Sequence, residues 1–321
     1  MVKIAIAGAS SELAREVLDK LVATQKHEII ALVRKNSANF PTLPGVKWVE
    51  TTYEDKSDLV QLFKGVNTVL CFITVHLDPE SKTQKRIIDA AVEAGVKRYA
   101  PSEWSAGVEM ESSVEVIPWY AGKVDINHYL GELNKNQKVL EYSRFQPGWF
   151  LNYLGHPHQV SKYITTVPLQ FDLETLHAVL VEGSLDYQIT YTSVADIANV
   201  VARAVEYTGE WPVVGGIRGH RVTVGELLEI GENIRGKPFV VDWLKMEDLQ
   251  AGIVKTDRYA RLDIPSIPKD HIEAFSKMAT AGILIAMSKG VWTVSDEWNK
   301  IFPDYEFEQV DTFLKKLWPG E

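Results

Sequence analysis

Short apolar runs alternate with amphipathic stretches through the first 150 residues of the chain. The apolar runs are continuous in Val, Ile and Leu, a pattern typical of strands that are covered by helices on both faces. Helical spacing places Leu13, Val17 and Leu21 on one face of a stretch that begins at Glu12. The alternation predicts an α/β fold, a Rossmann-type doubly wound parallel sheet. We predict its strands at 2–7, 28–33, 47–50, 67–73, 97–100 and 138–145.

This rhythm changes after Gln146-Pro147-Gly148, and a loop-like stretch follows at 170–186. A strand at 187–192 and a helix that Ser193 would cap are predicted to return to the first sheet. We therefore expect a nucleotide-binding domain at 1–155, which 187–206 rejoins. The remainder of 156–321 is expected to form a smaller, partly interleaved C-terminal α/β region that binds substrate.

Composition narrows the classes of function. The net charge of −9 argues against a protein that binds nucleic acid or an anionic membrane surface. A single cysteine, Cys71, fits a reducing compartment. The chain begins directly with an apolar strand, and no apolar run approaches the length of a membrane span. We expect a cytoplasmic monomer or homodimer with a small-molecule substrate.

The first candidate site is the turn between the first strand and the first helix. Dinucleotide-binding folds place a glycine-rich phosphate turn here, and in this chain it reads Gly8-Ala9-Ser10-Ser11-Glu12-Leu13-Ala14. Only the first of the usual three glycines is present, so the turn alone equally allows a serine-capped helix without a ligand. Its candidate cofactor contacts are Gly8, Ser10, Ser11, Glu12 and Leu13.

A cationic pair, Arg34-Lys35, follows the second predicted strand. In this architecture the end of that strand lies beside the adenine ribose. An acidic residue there would bind the free 2′-hydroxyl of NAD, whereas cations favour the 2′-phosphate of NADP. A solvated surface pair is the alternative. Together, the turn and the pair favour NADPH as cofactor.

Several longer motifs are specific to one family. Ala94-Gly95-Val96-Lys97-Arg98-Tyr99 precedes Pro101-Ser102-Glu103-Trp104, and Pro147-Gly148-Trp149-Phe150 follows later. With Lys123, these segments resemble the NmrA-like and isoflavone-reductase-like family of atypical short-chain dehydrogenases, especially its fungal members. The resemblance covers the first 155 residues well and continues more weakly beyond them. It implies NADPH-dependent reduction of an aromatic or polyketide-like molecule, with Lys123 as the central catalytic group.

The surroundings of Lys123 supply two further catalytic candidates. Tyr120 lies three residues before Lys123, whereas ordinary short-chain dehydrogenases space the two residue types by four. A helix brings both spacings to one face, so we keep Tyr120 as a candidate without assigning it the proton-donor role. Lys123 could bind the nicotinamide ribose and relay a proton, or simply face solvent. Glu103 could orient the lysine, bind substrate or cap a turn.

The remaining candidates follow the predicted strands, where ligands sit in open α/β folds. His156 and His158 have no further ligand at standard spacing, so no metal site is predicted. For the aromatic candidates, plain core packing is the alternative to a pocket wall. The further cofactor candidates are Thr74, Gln84, Lys123, Pro147, Gly148 and Phe150, and the substrate candidates are Trp104, Trp149, Asn152, Tyr153 and His156.

Three functions remain open from the sequence. The first is an NADPH-dependent reductase that delivers hydride to an enone or ketone, assisted by Lys123. The second is an NmrA-type regulatory protein that senses the dinucleotide without turnover, which the glycine-poor turn mildly favours. The third is a redox-neutral enzyme of secondary metabolism on the same fold.

Overall fold

A computed structural model describes residues 1–262 and 267–318. Six parallel strands form the central sheet in the order β3-β2-β1-β4-β5-β6. This order, with helices on both faces, confirms the predicted Rossmann-type fold. The strands are β1 (Val2–Ala7), β2 (His27–Val33), β3 (Val46–Glu50), β4 (Thr68–Cys71), β5 (Arg98–Ala100) and β6 (Glu141–Tyr142).

The predicted strand at 138–145 divides into two pieces. Its second part, β7 (Arg144–Gln146), leaves the central sheet and pairs with β12 (Val214–Gly216). The division turns the chain from the central sheet toward the second half of the molecule. β8 (Trp149–Phe150) follows at once and begins another small sheet.

Five helices cover the central sheet. On one face α1 packs against α5, and both bury apolar side chains over β1 and β2. On the other face α2, α3 and α4 bury theirs over β1, β4 and β5. The helices are α1 (Glu12–Thr24), α2 (Lys56–Phe63), α3 (Lys82–Glu93), α4 (Ala121–Leu133) and α5 (Val194–Glu206).

The second half of the chain builds two small sheets instead of extending the first. β11 (Gln188–Thr192) pairs with β8 and with β13 (His220–Thr223), so the prediction that this strand joins the first sheet is wrong. Its successor α5 does pack on the first sheet, and Ser193 caps it by accepting from the Asp196 N–H. β11 and α5 therefore belong to different sheets, because both edges of β11 are paired, one with β8 and the other with β13.

The other small sheet occupies the stretch that looked like a loop. β10 (His177–Val181) pairs with β9 (Phe171–Asp172) and with β14 (Val240–Leu244). Helices α6 (Val224–Arg235), α7 (Met246–Gln250), α8 (Ile272–Ser288), α9 (Glu297–Ile301) and α10 (Val310–Leu317) complete the described part. Of the predicted substrate region, 263–266 and 319–321 lie outside the described residues. Across the described residues, no helix combines the length and apolarity needed to cross a membrane.

Candidate active site

A cavity of about 770 Å³ lies where the strand order of the central sheet reverses, at the carboxyl ends of β1 and β4. This is the position at which open α/β sheets bind ligands, and the volume is typical of a small-molecule pocket. The first sheet and the second half of the chain both contribute to its wall. The lining residues are Ser11, Glu12, Leu13, Phe72, Ile73, Thr74, Val75, His76, Ser102, Trp104, Ser105, Trp119, Tyr120, Lys123, Gly148, Trp149, Phe150, Tyr153 and Trp292.

The turn after β1 has the shape of a phosphate-binding turn despite its missing glycines. Gly8 has φ +73°, and an added Cβ would lie 2.8 Å from the carbonyl carbon and oxygen of Phe72. Glycine is therefore required at this first position. Ser11 stands before α1, but its side chain makes no cap hydrogen bond, and within the described residues its buried Oγ has no partner. Ser10 is exposed beside it.

Glu12 places a carboxylate at the N-terminus of α1, where a phosphate would otherwise be favoured. Thr165 engages this carboxylate with both its backbone N–H (3.0 Å) and its hydroxyl (2.8 Å). Glu16, one turn later, accepts from the Tyr163 N–H at 2.7 Å. The acidic side chains at the start of α1 thus bind the segment around 163–165. The N–H groups of Gly8, Ala9 and Ser11 already donate within the protein, so the N–H groups at the start of α1 and the Ser11 hydroxyl are the candidate contacts for an anion.

Arg34 and Lys35 follow β2 directly, and both are exposed. None of the ion pairs found in the described parts of the chain involves either residue. The Arg34 guanidinium lies 5.7 Å from the centre of the Tyr53 ring. Tyr53 in turn contacts the phosphate turn, because its hydroxyl accepts from the Gly8 N–H at 2.9 Å. The cationic pair and the turn therefore belong to one corner of the sheet.

Lys123 lines the cavity from the first turn of α4. Its ammonium group donates to the backbone carbonyl of Glu103 and lies 5.7 Å from the centre of the Tyr120 ring. Burial lowers the pKa of Lys123 to about 8, although the negative charge of Glu103 acts in the opposite direction. A lysine with such a pKa exchanges a proton readily near neutral pH.

Glu103 lies behind Lys123 and does not line the cavity; its residue is 1% exposed. Its carboxylate accepts from the side-chain amides of Gln146 (2.9 Å) and Asn127 (3.4 Å). Burial raises the pKa of Glu103, and the hydrogen bond from Gln146 opposes that rise. Three roles were left open for Glu103. This geometry favours the one in which Glu103 orients Lys123, because its backbone carbonyl accepts from the lysine ammonium group.

Tyr120 also lines the cavity, and its hydroxyl lies 2.8 Å from the hydroxyl of Ser105. Burial raises the pKa of Tyr120, while hydrogen bonds from Ser105 and Trp292 oppose that rise. The hydrogen bond between the two hydroxyls uses one of their two hydrogens. One hydroxyl hydrogen of the Tyr120–Ser105 pair therefore remains free to donate into the cavity.

Aromatic rings form the opposite wall. Trp149 lies 4.9 Å from Trp292 and 6.1 Å from Tyr153, measured between ring centres, and Phe150 stacks on Tyr153 at 5.6 Å. The indole N–H of Trp149 is buried and finds no acceptor among the described residues. This wall offers flat apolar surfaces, which suit a planar ligand that carries few charges.

Trp104 forms part of the cavity floor. Its ring stacks between Phe72 at 4.4 Å and Phe145 at 5.2 Å, and its indole N–H donates to the Cys71 carbonyl at 2.7 Å. The residue is 7% exposed. Trp104 therefore both lines the cavity and packs in the core.

Six predicted cofactor contacts do not line the cavity: Gly8, Ser10, Arg34, Lys35, Gln84 and Pro147. The first four lie at the sheet corner described above, whereas Gln84 and Pro147 have structural partners. Gln84 is 1% exposed, and its side-chain carbonyl accepts from the Ser102 N–H at 3.1 Å. The Pro147 carbonyl accepts from the Thr192 hydroxyl at 2.7 Å. Both residues brace loops at the carboxyl edge of the sheet, and we do not retain them as direct contacts.

Two predicted substrate contacts are likewise structural. The buried Asn152 side chain accepts from the Val194 N–H at 2.9 Å, at the start of α5. The His156 ring nitrogen Nδ1 lies 3.2 Å from the Thr166 carbonyl. Neither residue lines the cavity. The remaining candidates, Thr74, Gly148, Trp149, Phe150, Tyr153 and Trp104, do line it.

Eight lining residues were not among the site residues predicted from the sequence: Phe72, Ile73, Val75, His76, Ser102, Ser105, Trp119 and Trp292. Ser105 directly follows Pro101-Ser102-Glu103-Trp104, so its place beside that motif could have identified it as a site residue. Trp119 immediately precedes Tyr120 and was recoverable in the same way. Trp292 comes from the loop after α8, and nothing in its local sequence points to the cavity.

Comparisons with known proteins agree with this fold. The NmrA-like family profile matches residues 2–314. The fungal protein named Oxidoreductase BOA1, from Botryotinia fuckeliana (strain B05.10), is 26% identical over 240 residues, which are 74% of this chain and 77% of that protein. Quinone oxidoreductase 2 of Escherichia coli (strain K12) is 24% identical over 209 residues, which are 64% of this chain and 65% of that protein.

Solved structures share the fold over nearly the whole chain. A crystal structure of isoflavone reductase superimposes with a TM-score of 0.69 at 21% identity and covers 98% of both chains. The NADPH-dependent quinone oxidoreductase QOR2 of Escherichia coli, complexed with NADPH, superimposes with a TM-score of 0.67 at 21% identity, covering 98% of this chain and 99% of that one. At these identities the likeness establishes the fold.

Proposed function

This chain belongs to the NmrA-like family, and from that premise we propose that it is an NADPH-dependent oxidoreductase that reduces an enone or ketone of a small aromatic or polyketide-like molecule. The observation that carries the proposal is a single cavity that reaches from the phosphate turn to the partly buried Lys123 and an aromatic wall. A relative named an oxidoreductase and a shared fold with an NADPH-bound reductase support it.

The cofactor is NADPH. Its diphosphate would lie on the N–H groups at the start of α1 and on the unpartnered Ser11 hydroxyl. Its 2′-phosphate would be held by Arg34 and Lys35, whose charges are otherwise unpaired among the described residues. When bound, NADPH supplies the hydride.

The chain's own residues supply the proton and hold the substrate oxygen. Lys123, with a pKa of about 8, is protonated at neutral pH and can donate from its ammonium group. The free hydrogen of the Tyr120–Ser105 pair donates to the oxygen on which negative charge develops. Glu103 is a positioning residue, because its carbonyl binds the lysine from outside the cavity.

The substrate lies against the aromatic wall. Trp149, Tyr153 and Trp292 offer ring faces to a planar molecule. A quinone is a related acceptor, and it enters the tests below because one relative is named a quinone oxidoreductase. We propose a cytoplasmic location, because the single cysteine is buried and unpaired, as in proteins of reducing compartments.

Calorimetric titration with NADPH and NADH tests the cofactor step first. We expect NADPH to bind at least tenfold more tightly than NADH, since a charge-assisted contact contributes roughly 1.5–3 kcal/mol. Binding of neither dinucleotide would contradict the proposal and return the redox-neutral enzyme to consideration. Tight NADPH binding without oxidation by any acceptor would instead favour the regulatory sensor.

A further inference from the structure

Tyr53 connects the two ends of the proposed dinucleotide site. It follows β3, is 1% exposed, and lies beneath the corner between the phosphate turn and the end of β2. Its hydroxyl accepts from the Gly8 N–H at 2.9 Å and donates to the Leu32 carbonyl at 2.8 Å. One side chain therefore ties the first residue of the turn to the strand that carries Arg34.

The backbone of Tyr53 is held in an unusual conformation. Its φ is +64°, in the left-handed region that bulky residues rarely adopt. Two neighbours hold it there: the Thr51 hydroxyl accepts from the Tyr53 N–H at 3.1 Å, and Arg86 donates to the Tyr53 carbonyl at 2.7 Å. This backbone conformation directs the ring under the sheet corner. Apolar packing at that position would not require the hydroxyl that the tyrosine carries.

The ring of Tyr53 also supports the cation at that corner. The Arg34 guanidinium lies 5.7 Å from the ring centre, within the range of a cation–π contact. Arg34 is otherwise exposed, so the ring limits the positions that its side chain samples. An arginine held in place before binding loses less conformational freedom when it meets a phosphate.

We propose that Tyr53 is a positioning residue for NADPH: its hydroxyl fixes the phosphate turn relative to β2, and its ring aligns Arg34 with the 2′-phosphate. This inference rests on the proposed function. The diphosphate and the 2′-phosphate are attached to the same ribose, which limits their separation, so the turn and Arg34 must be held at a matching distance. The Ala9 N–H ties the turn to the Leu32 carbonyl directly at 3.1 Å, and the Gly8–Tyr53–Leu32 contacts add a second tie through the side chain that also meets Arg34.

Two substitutions separate the roles of the hydroxyl and the ring. Tyr53→Phe keeps the ring but removes both side-chain hydrogen bonds, so NADPH and NADH should each bind about three- to tenfold more weakly, with their ratio unchanged. Tyr53→Leu also removes the ring, so the preference for NADPH over NADH should fall by a further factor of about two to five. Calorimetry on the full-length protein measures all four dissociation constants.

Tyr99→Phe is the matched control. Tyr99 is a fully buried tyrosine of the same sheet, on β5 and away from the turn, and we expect its substitution to leave both affinities unchanged. Wild-type affinity in Tyr53→Phe, which preserves the side-chain volume needed for folding, would overturn the role of the hydroxyl. An unchanged NADPH preference in Tyr53→Leu would overturn the role of the ring. Failure of the wild-type protein to prefer NADPH would instead count against the proposed function itself.

Discussion

The two ends of the cavity are built in different ways. At the cofactor end, Ser11 to Leu13 line the cavity after β1, and Arg34-Lys35 follow the adjacent strand β2 without lining it. The aromatic end draws on separate parts of the chain, including Trp149 beside β8 and Trp292 after α8. The position of the cofactor end thus follows from the strand order of the sheet, whereas the aromatic end exists only after the second half has packed against the first.

The two ends of the cavity should therefore have separate functions. Changes at the cofactor end should alter dinucleotide affinity, and changes at the aromatic end should alter the response to substrate. Lys123 lies between the two ends and should affect turnover alone. The following substitutions test that division, beginning with the largest expected effect.

Lys123→Ala should lower kcat by about 10²–10⁴-fold, because it removes the proposed proton donor. Steady-state oxidation of NADPH with an accepted substrate measures this loss, and the thermal unfolding midpoint should stay close to the wild-type value. Lys82→Ala, which removes an exposed lysine at the start of α3, is the control and should keep full activity. Full activity of Lys123→Ala would exclude this residue from the chemistry.

Arg34→Asp should weaken NADPH binding by roughly 10- to 150-fold, corresponding to the loss of about 1.5–3 kcal/mol from one charge-assisted contact. NADH, which has no 2′-phosphate, should be affected much less. Calorimetric titration with both dinucleotides gives the comparison. Equal losses for the two would show that Arg34 does not read the 2′-phosphate.

Trp292→Leu should raise KM for an aromatic substrate by about two- to tenfold, because it removes one ring of the wall and its contact with Trp149. The dissociation constant for NADPH should remain unchanged, and measuring both constants on the same preparation checks the division directly. A weaker affinity for NADPH with an unaltered KM would show that Trp292 acts at the cofactor end of the cavity instead of the aromatic end.

The pH dependence of kcat gives the smallest and most specific effect. A proton donor must be protonated, so activity should be highest below the pKa of Lys123, about 8, and should fall as the pH rises through it. Lys123→Arg should retain the charge and lose this midpoint, since arginine does not titrate in the range. A wild-type profile that rises through pH 8 would require the neutral amine to act as a base.

The same division explains what could be predicted from the sequence. Continuous apolar runs located the first five strands of the central sheet to within a few residues. The motifs after them pointed to the turn, Arg34 and Lys123, whose roles stay predictions. Strand pairing in the second half depends on distant partners, so β11 was assigned to the wrong sheet. β9 is only two residues long and carries no periodicity to detect.

Side-chain direction was the other source of error. Gln84, Pro147, Asn152 and His156 lie on segments close to the cavity, yet their polar groups bind neighbouring loops instead of facing it. Position along the chain predicts which loops surround a site. It does not predict which side chains of those loops are needed to satisfy buried backbone groups.

The most direct test of the account is a single-turnover experiment on the NADPH-loaded protein. The wild-type protein and Lys123→Ala would each be mixed with a panel of aromatic ketones, enones and quinones, and loss of the reduced nicotinamide absorbance would be followed. We predict that at least one planar acceptor oxidises NADPH bound to the wild-type protein, and that Lys123→Ala slows the step at least a hundredfold. Oxidation at equal rates in both proteins, or by no acceptor despite tight NADPH binding, would contradict the account.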